Sequence, residues 1–156
     1  MNHDLPLIGI WTKGHDIMDS AIKFICHADG THAAFRRRNG MVIENFWPHV
    51  HERELAIGEQ VEWYELAGMT KREGDNLESW FDKEMSNPSP YSIADLIRYA
   101  VNLPPKHGRG CFCSQWVCRG LREAVARERQ PLVRLPFRDW VSPAMIRMSP
   151  RLICVN

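Results

Sequence analysis

Residues 31–47 have the sequence THAAFRRRNGMVIENFW, which predicts a β-hairpin. Two runs of strand-forming residues, 31–37 and 41–47, lie on either side of Arg38-Asn39-Gly40, and Pro48 is expected to end the second strand. Short loops that contain Asn-Gly are typical of the turn between two antiparallel strands. We therefore expect the two runs to be neighbouring antiparallel strands of one sheet.

The length of the hairpin loop decides which side chains share a face of the sheet. If Arg38-Asn39-Gly40 is a three-residue loop, Glu44 lies on the same face as His32 and diagonal to it. If Asn39-Gly40 is a two-residue turn, the register shifts by one residue and Asn45 takes that place. Diagonal neighbours are ~7–8 Å apart, within reach of a long side chain. The residues alone leave both registers open.

The spacing of apolar residues predicts further strands and helices around the hairpin. The predicted strands are Leu5–Trp11 and Gln60–Leu66; the predicted helices are Asp16–Cys26, Leu77–Met85, Ile93–Leu103 with Ser92 as N-cap, and Ser114–Arg127. Residues 131–156 contain four prolines and are expected to be irregular. Because strands and helices are segregated along the chain, we expect an α+β fold with a small antiparallel sheet packed against helices.

Two of the predicted helices are expected to bury one apolar face each. In the predicted helix Leu77–Met85 the expected face consists of Leu77, Trp80, Phe81 and Met85. In the predicted helix Ile93–Leu103 it consists of Ile93, Leu96, Ile97, Ala100 and Val101.

The composition is that of an ordinary globular protein. The chain has 156 residues and a mass of 18.1 kDa, with 44% apolar and 25% charged residues, so residues 1–156 are expected to form a single domain. A formal net charge of +1 argues against nucleic-acid binding through a broad basic field. Residues 104–156 nevertheless contain 10 Lys and Arg against 3 Asp and Glu. A basic face toward an anionic partner is therefore an alternative to internal charge complementarity.

The ends and the apolar runs of the sequence bear on its location. The first residues are polar and lack the basic and apolar regions of a signal peptide. The apolar runs are shorter than the ~20 residues that a membrane-spanning helix needs. We therefore expect a cytoplasmic protein without a membrane span, with export by other means left open.

Five cysteines are present, and three of them lie between residues 111 and 118. An odd number without a signal peptide argues against a disulfide framework. Cys113 falls at the start of a predicted helix, where unpaired N–H groups and the helix dipole stabilise a thiolate. The same N–H groups can bind the oxyanion of a tetrahedral intermediate. The alternative for Cys113 is a buried cysteine that serves as a small apolar residue.

A nucleophilic cysteine needs a base, and His32 is the best candidate among the seven histidines. It lies near the start of a predicted strand, beside small residues that allow another element to come close. The base in turn needs an orienting group, which is Glu44 or Asn45 depending on the hairpin register. His49 and His51 are further candidates.

The cysteine cluster also permits a metal-binding interpretation. His107, Cys111, Cys113 and Cys118 offer four nitrogen and sulfur ligands with spacings of 4, 2 and 5 residues. Structural zinc sites favour the Cys-x2-Cys spacing, and the helical phase directs Cys118 away from Cys113. We therefore expect no metal and no cofactor, and keep zinc as the less favoured alternative.

The order of these motifs resembles that of the circularly permuted NlpC-like papain-fold hydrolases. The similarity is strongest to the YiiX-like group, and it extends more distantly to the lecithin retinol acyltransferase-like proteins. It runs from about Leu5 to Leu152, and its two main motifs are Thr31-His32-Ala33-Ala34-Phe35 and Phe112-Cys113-Ser114-Gln115-Trp116-Val117. Other matching stretches are Val42-Ile43-Glu44, Pro90-Tyr91, and the closing region that contains Val141-Ser142-Pro143 and Ser149-Pro150-Arg151-Leu152.

The resemblance implies a papain-like fold with Cys113 as nucleophile and His32 as base. It also implies a polar third residue on the strand that follows, and Glu44 stands at the matching position, which favours the three-residue loop. Tyr91, Ser114 and Trp11 are the accompanying candidates for substrate binding or for the oxyanion hole.

Two departures from the family pattern leave the substrate class open. Gln115 stands where the YiiX-like motif usually has an acidic residue, and Gly9 is followed by Ile10 where the family usually has Gly-Asp. The implied function is a thiol hydrolase, a peptidase or amidase, with acyltransfer as a variant. Its expected substrates are peptides, peptidoglycan-derived peptides, or lipid amides and esters. A papain-like module that only binds a partner is the second interpretation, and the oligomeric state is open.

Overall fold

The sheet of this protein has six strands, all paired antiparallel, in the order β4-β3-β2-β1-β5-β6. The structure is a computed structural model that describes residues 4–12, 31–101, 103–104, 110–130 and 141–155. The strands are β1 Leu7–Trp11, β2 His32–Arg36, β3 Val42–Phe46, β4 His49–Arg53, β5 Val61–Leu66 and β6 Leu152–Cys154. With the helices packed on this sheet, the expected α+β class is confirmed; the predicted helix Asp16–Cys26 lies outside the described residues.

The β2–β3 hairpin has the three-residue loop. The N–H of Arg37 donates to the Met41 carbonyl at 2.8 Å, and Phe35 pairs with Ile43. Gly40 has a φ of +90°, a left-handed conformation that glycine adopts without steric cost. The register therefore places Glu44 on the face of His32 and turns Asn45 to the other face.

Two strands were missed by the sequence prediction. β3 ends before Pro48 as predicted, but Trp47 and Pro48 form a turn and the chain returns as β4, in which His49 pairs with Phe46. The turn accommodates a proline because no ladder hydrogen bond is required there. The second missed strand is β6, in a tail predicted to be irregular, where Leu152 pairs with Leu66 of β5.

The helices are α1 Lys71–Ser86, α2 Ile93–Ala100, α3 Cys113–Ala124 and α4 Pro143–Arg147, with a 3-10 turn at Arg127–Arg129. The prediction that the helix now labelled α1 begins at Leu77 was wrong. The helix begins six residues earlier because Thr70 and Glu73 form a capping box: the Glu73 N–H donates to Thr70 Oγ1 and the Thr70 N–H donates to Glu73 Oε2. Ser92 caps α2 as predicted, but α2 ends at Ala100 and α3 ends at Ala124, each three residues before its predicted end. Among the described residues, no helix is long and apolar enough to cross a membrane.

The predicted buried faces were correct only in part. On α1, Leu77, Trp80 and Phe81 are buried as expected, but Met85 is exposed. Glu84 is buried instead, and its Oε2 accepts a hydrogen bond from Trp116 Nε1 at 3.0 Å. On α2 only Leu96 of the predicted face is buried, and the other members lie at or near the surface: Ile93, Ile97, Ala100 and Val101.

The core lies between the sheet and the pair α1 and α3. Phe35 of β2 packs against Phe81 at 5.1 Å and against Trp116 at 5.6 Å between ring centroids. Trp80 of α1 meets Trp116 of α3 at 4.9 Å. These aromatic contacts fix α3 on β2, and so they fix the position at which α3 begins.

The close approach of α1 and α3 depends on Gly120. A Cβ atom at this position would lie 2.5 Å from Trp80 Cζ3. We expect Gly120→Ala to lower the free energy of unfolding by about 1–3 kcal/mol, since overpacking outweighs the helix propensity gained. Gly74→Ala in α1 is the matched control, because its Cβ would meet the ends of the Arg38 and Leu5 side chains, which can move aside. Urea denaturation measures both; equal stability of the two variants would contradict this account.

Candidate active site

Three elements bring Cys113, His32 and Glu44 together. His32 is the first residue of β2, Glu44 lies on β3, and Cys113 is the first residue of α3. His32 Nε2 lies 2.7 Å from Glu44 Oε2, and the Cys113 side chain interacts electrostatically with the His32 side chain, whose pKa it raises. Because Nε2 is occupied by Glu44, Nδ1 is the ring nitrogen left for the sulfur. The structure thus places His32 beside Glu44 and within electrostatic reach of Cys113, the three residues implied by the family resemblance.

The electrostatics of the three groups are coupled. Burial lowers the pKa of His32, but the charge of the Cys113 thiolate and hydrogen bonds with Cys113 and Glu44 outweigh it and raise this pKa to about 10. Burial likewise raises the pKa of Glu44, but hydrogen bonds from His32, His51 and Arg53 and attraction to His32 hold it well below its usual range. The arrangement therefore favours a charged His32 imidazolium beside an ionised Glu44 carboxylate at neutral pH.

Aromatic rings fix the orientation of the imidazole. Trp11 of β1 meets the His32 ring edge-on at 5.2 Å, and Phe46 of β3 does so at 5.7 Å. His32 is only 6% exposed. Trp11, a candidate for substrate binding, therefore contacts the proposed base and is itself buried.

The segment that leads into α3 is fastened by hydrogen bonds on both sides of Cys111. The Cys111 N–H donates to the Pro90 carbonyl at 3.2 Å, and the Cys111 carbonyl accepts from the Ser92 N–H at 3.0 Å and from Asn45 Nδ2 at 2.9 Å. Asn45 therefore contacts the segment that precedes Cys113, whereas Glu44 contacts His32. The choice between the two hairpin registers is thus decided for Glu44 as the neighbour of His32.

Phe112 stands in extended conformation just before Cys113 and places it at the first helical position. Its N–H donates to Gln115 Oε1 at 3.2 Å, so the residue that departs from the family motif helps to close the helix start. The N–H groups of a first helical turn have no acceptor within the helix. They supply positive potential beside the Cys113 sulfur.

The remaining predicted site residues have different surroundings. Tyr91 is buried in a small apolar cluster with Cys113, Leu96 and Phe112. Ser114 is fully buried, and its Oγ donates to the Val141 carbonyl at 2.5 Å. Ser114 therefore ties α3 to the segment before α4, while Tyr91 belongs to the same apolar cluster as Cys113.

The prediction did not include Arg53, which lies on the missed strand β4. Its Nε donates to Glu44 Oε1 at 2.5 Å, and His51 Nε2 lies 3.3 Å from the same oxygen. Glu44 and His51 are directly paired across β3 and β4. The period of two along β4 would have placed both side chains at Glu44 had the strand been recognised. His49, the other candidate, is exposed, and its Nδ1 lies 2.8 Å from the Val50 carbonyl oxygen.

The other described cysteines differ from Cys113. Cys111 is buried, and burial raises the pKa of its thiol to about 11, so it stays protonated at neutral pH. Cys118 is half-buried and Cys154 is exposed. These three cysteines and Cys113 are all free thiols. Within the described ranges, no three His, Cys, Asp or Glu side chains are grouped as a metal site; His107 of the zinc alternative and Cys26 lie outside those ranges.

Comparisons with known proteins add no relative to this description. Neither the scan against models of protein families nor the search of curated proteins found a match. The resemblance to the permuted NlpC-like hydrolases therefore stays a prediction from the motifs, and the interpretation of the site depends on its own geometry.

Proposed function

We propose that the protein is a thiol hydrolase with a permuted papain-like fold, acting as a peptidase or amidase through an acyl-enzyme on Cys113. The observation that carries the proposal is the connected set of three side chains. Cys113 at a helix start interacts electrostatically with His32 and raises its pKa, and His32 Nε2 lies 2.7 Å from a buried carboxylate of Glu44. Nucleophile, base and orienting group are the three components of such catalysis.

The proposed reaction begins with attack of the Cys113 thiolate on an amide or ester carbonyl. The imidazolium of His32 protonates the leaving amine or alcohol as the tetrahedral intermediate collapses to a thioester. Neutral His32 then takes a proton from water, and the resulting hydroxide equivalent attacks the thioester. The acid product leaves, the thiolate is restored, and His32 keeps the proton. Glu44 holds the ring through both halves of the cycle.

The negative oxygen of each tetrahedral intermediate needs donors. The Cys113 N–H at the start of α3 is the proposed first donor, since it belongs to the unpaired turn of the helix and the helix dipole adds to its effect. Tyr91, in the same cluster as Cys113, is the proposed second donor.

The substrate class stays open among peptides, peptidoglycan-derived peptides and lipid amides or esters, and an acyl acceptor other than water would make the protein an acyltransferase. Cys113 is 2% exposed, so only a slim acyl group reaches the sulfur without displacing its neighbours. A minimal acetyl ester is therefore the first probe to use.

Trapping the acyl-enzyme tests the proposal. The protein is mixed with p-nitrophenyl acetate at pH 7, quenched in acid and measured by intact mass, and we expect one acetyl group on Cys113. Cys113→Ala should abolish this adduct, whereas Cys154→Ala, which removes the exposed thiol, should retain it. An equal adduct on the Cys113→Ala protein would contradict the proposal. A wild type that forms no adduct with the ester and is not alkylated by iodoacetamide would favour the binding-module alternative.

A further inference from the structure

Five side chains are joined by a ring of contacts that begins and ends at the imidazole of His32. Glu44 Oε2 lies 2.7 Å from His32, and Glu44 Oε1 accepts from Arg53 Nε at 2.5 Å. The guanidinium of Arg53 donates from Nη1 to Glu59 Oε1 at 2.8 Å and from Nη2 to Glu59 Oε2 at 3.2 Å. Trp11 Nε1 donates to Glu59 Oε2 at 3.0 Å, and the Trp11 ring lies 5.2 Å from the His32 ring.

We propose that Arg53 is a positioning residue of the active site, which fixes the Glu44 carboxylate so that one oxygen stays on His32. This inference rests on the proposed function and names a further residue of the same site. Glu44 is 4% exposed, so an oxygen that loses Arg53 has little water to replace it. The carboxylate would then turn to share its oxygens between His32 and His51.

The role needs an arginine. One planar guanidinium contacts Glu44 through Nε and Glu59 through both Nη atoms. Lysine keeps the positive charge but has a single ammonium on a flexible stem, so it cannot hold both carboxylates in one plane. Because Glu59 also accepts from Trp11, the same guanidinium couples the ring that borders His32 to the carboxylate that orients it.

Arg53 also affects the strength of the hydrogen bond between His32 and Glu44, because several charged groups surround Glu44. Glu44 faces His32 from β2 and both His51 and Arg53 from β4, with Glu59 behind Arg53. Arg53 and His51 therefore compete with His32 for one negative charge. Loss of Arg53 changes both the direction and the strength of the hydrogen bond between His32 and Glu44, which an imidazole N–H proton signal reports directly.

The test compares Arg53→Met and Arg53→Lys with a matched control, Arg147→Met. Arg147 makes a similar two-pronged contact with Glu62, at 2.7 Å from both Nε and Nη2. In the full chain labelled at histidine, the His32 N–H proton, assigned with His32→Gln, should give a downfield NMR signal in the wild type and in Arg147→Met. We expect that signal to shift upfield or vanish in Arg53→Met. Acetylation of Cys113 should slow by about 10–100-fold in Arg53→Met, with only part of the rate restored in Arg53→Lys.

Three outcomes would overturn the inference: an unchanged His32 proton signal in Arg53→Met, an acetylation rate within twofold of wild type, or full rescue by lysine. If Arg53→Met does not fold, Glu59→Gln replaces it, since that change removes the second carboxylate charge at constant shape and should shift the same signal. If the wild type forms no acetyl-enzyme, the proposed function fails while the proton signal still decides the role of Arg53.

Discussion

Replacement of His32 with glutamine is expected to slow acetylation of Cys113 by about 10²–10⁴-fold, the usual contribution of a general acid–base group. Glutamine fills a similar volume but cannot carry the proton. With this ester the loss arises mainly at the thiolate, which the imidazolium stabilises, because p-nitrophenolate leaves without needing a proton.

The measurement is the single-turnover rate of p-nitrophenol release by equal amounts of wild-type and His32→Gln protein. His49→Gln is the matched control because His49 is an exposed histidine whose ring nitrogen Nδ1 lies 2.8 Å from a backbone carbonyl oxygen, that of Val50. A His32→Gln protein as fast as His49→Gln would show that His32 is not the base.

Substitution of Glu44 with glutamine is expected to move the pH dependence of Cys113 alkylation to lower pH. Iodoacetate is an anion, so it reacts faster while His32 is protonated. Since the pKa of His32 is raised to about 10, the wild-type rate should fall as the pH rises through about 10. Glu44 is one of the groups that raise this pKa, and an opposite charge at contact distance shifts a pKa by about 1–3 units. In the Glu44→Gln protein the alkylation rate of Cys113 should therefore fall at a pH about 1–3 units lower than in the wild type.

The control for this shift is Glu78→Gln. Glu78 accepts a hydrogen bond from Arg37 Nε at 2.8 Å, so it is also a carboxylate paired with an arginine, but in the contact of the hairpin with α1. Its profile should match the wild type. A Glu44→Gln rate that falls at the same pH as the wild-type rate would show that Glu44 does not raise the pKa of His32. A fall at higher pH would mean that the sign of its effect is wrong.

Local signals in the sequence predicted most of the fold that positions the site. The hairpin of β2 and β3 followed from its strand-forming runs and the Asn-Gly loop. Helical spacing predicted a helix start at Ser114, one residue after the observed start of α3 at Cys113. The alternation of side chains could not tell a two-residue turn from a three-residue loop. That choice depends on the contact between Arg37 and Met41, and it decides whether Glu44 or Asn45 meets His32.

The errors arose where distant parts of the chain decide the outcome. Pro48 ends β3 as predicted, but strand β4 was missed because no local signal shows that the chain turns at Pro48 and pairs again with β3. The apolar stripe of α2 has the spacing of a buried face, but Ile97 is 56% exposed, since periodicity does not say which side of a helix finds a partner. Arg53 was also missed, because its contact with Glu44 forms only when β4 pairs with β3.

The fastening of Cys111 makes the site depend on complete folding. Asn45 of β3, Pro90 and Ser92 all hold the residue that precedes Phe112 and Cys113, and these segments are far apart in sequence. The position of Cys113 relative to His32 and Glu44 therefore depends on contacts between segments that only the folded chain brings together. We expect the proposed reactivity of Cys113 to be lost with those contacts, so that it distinguishes native from unfolded molecules.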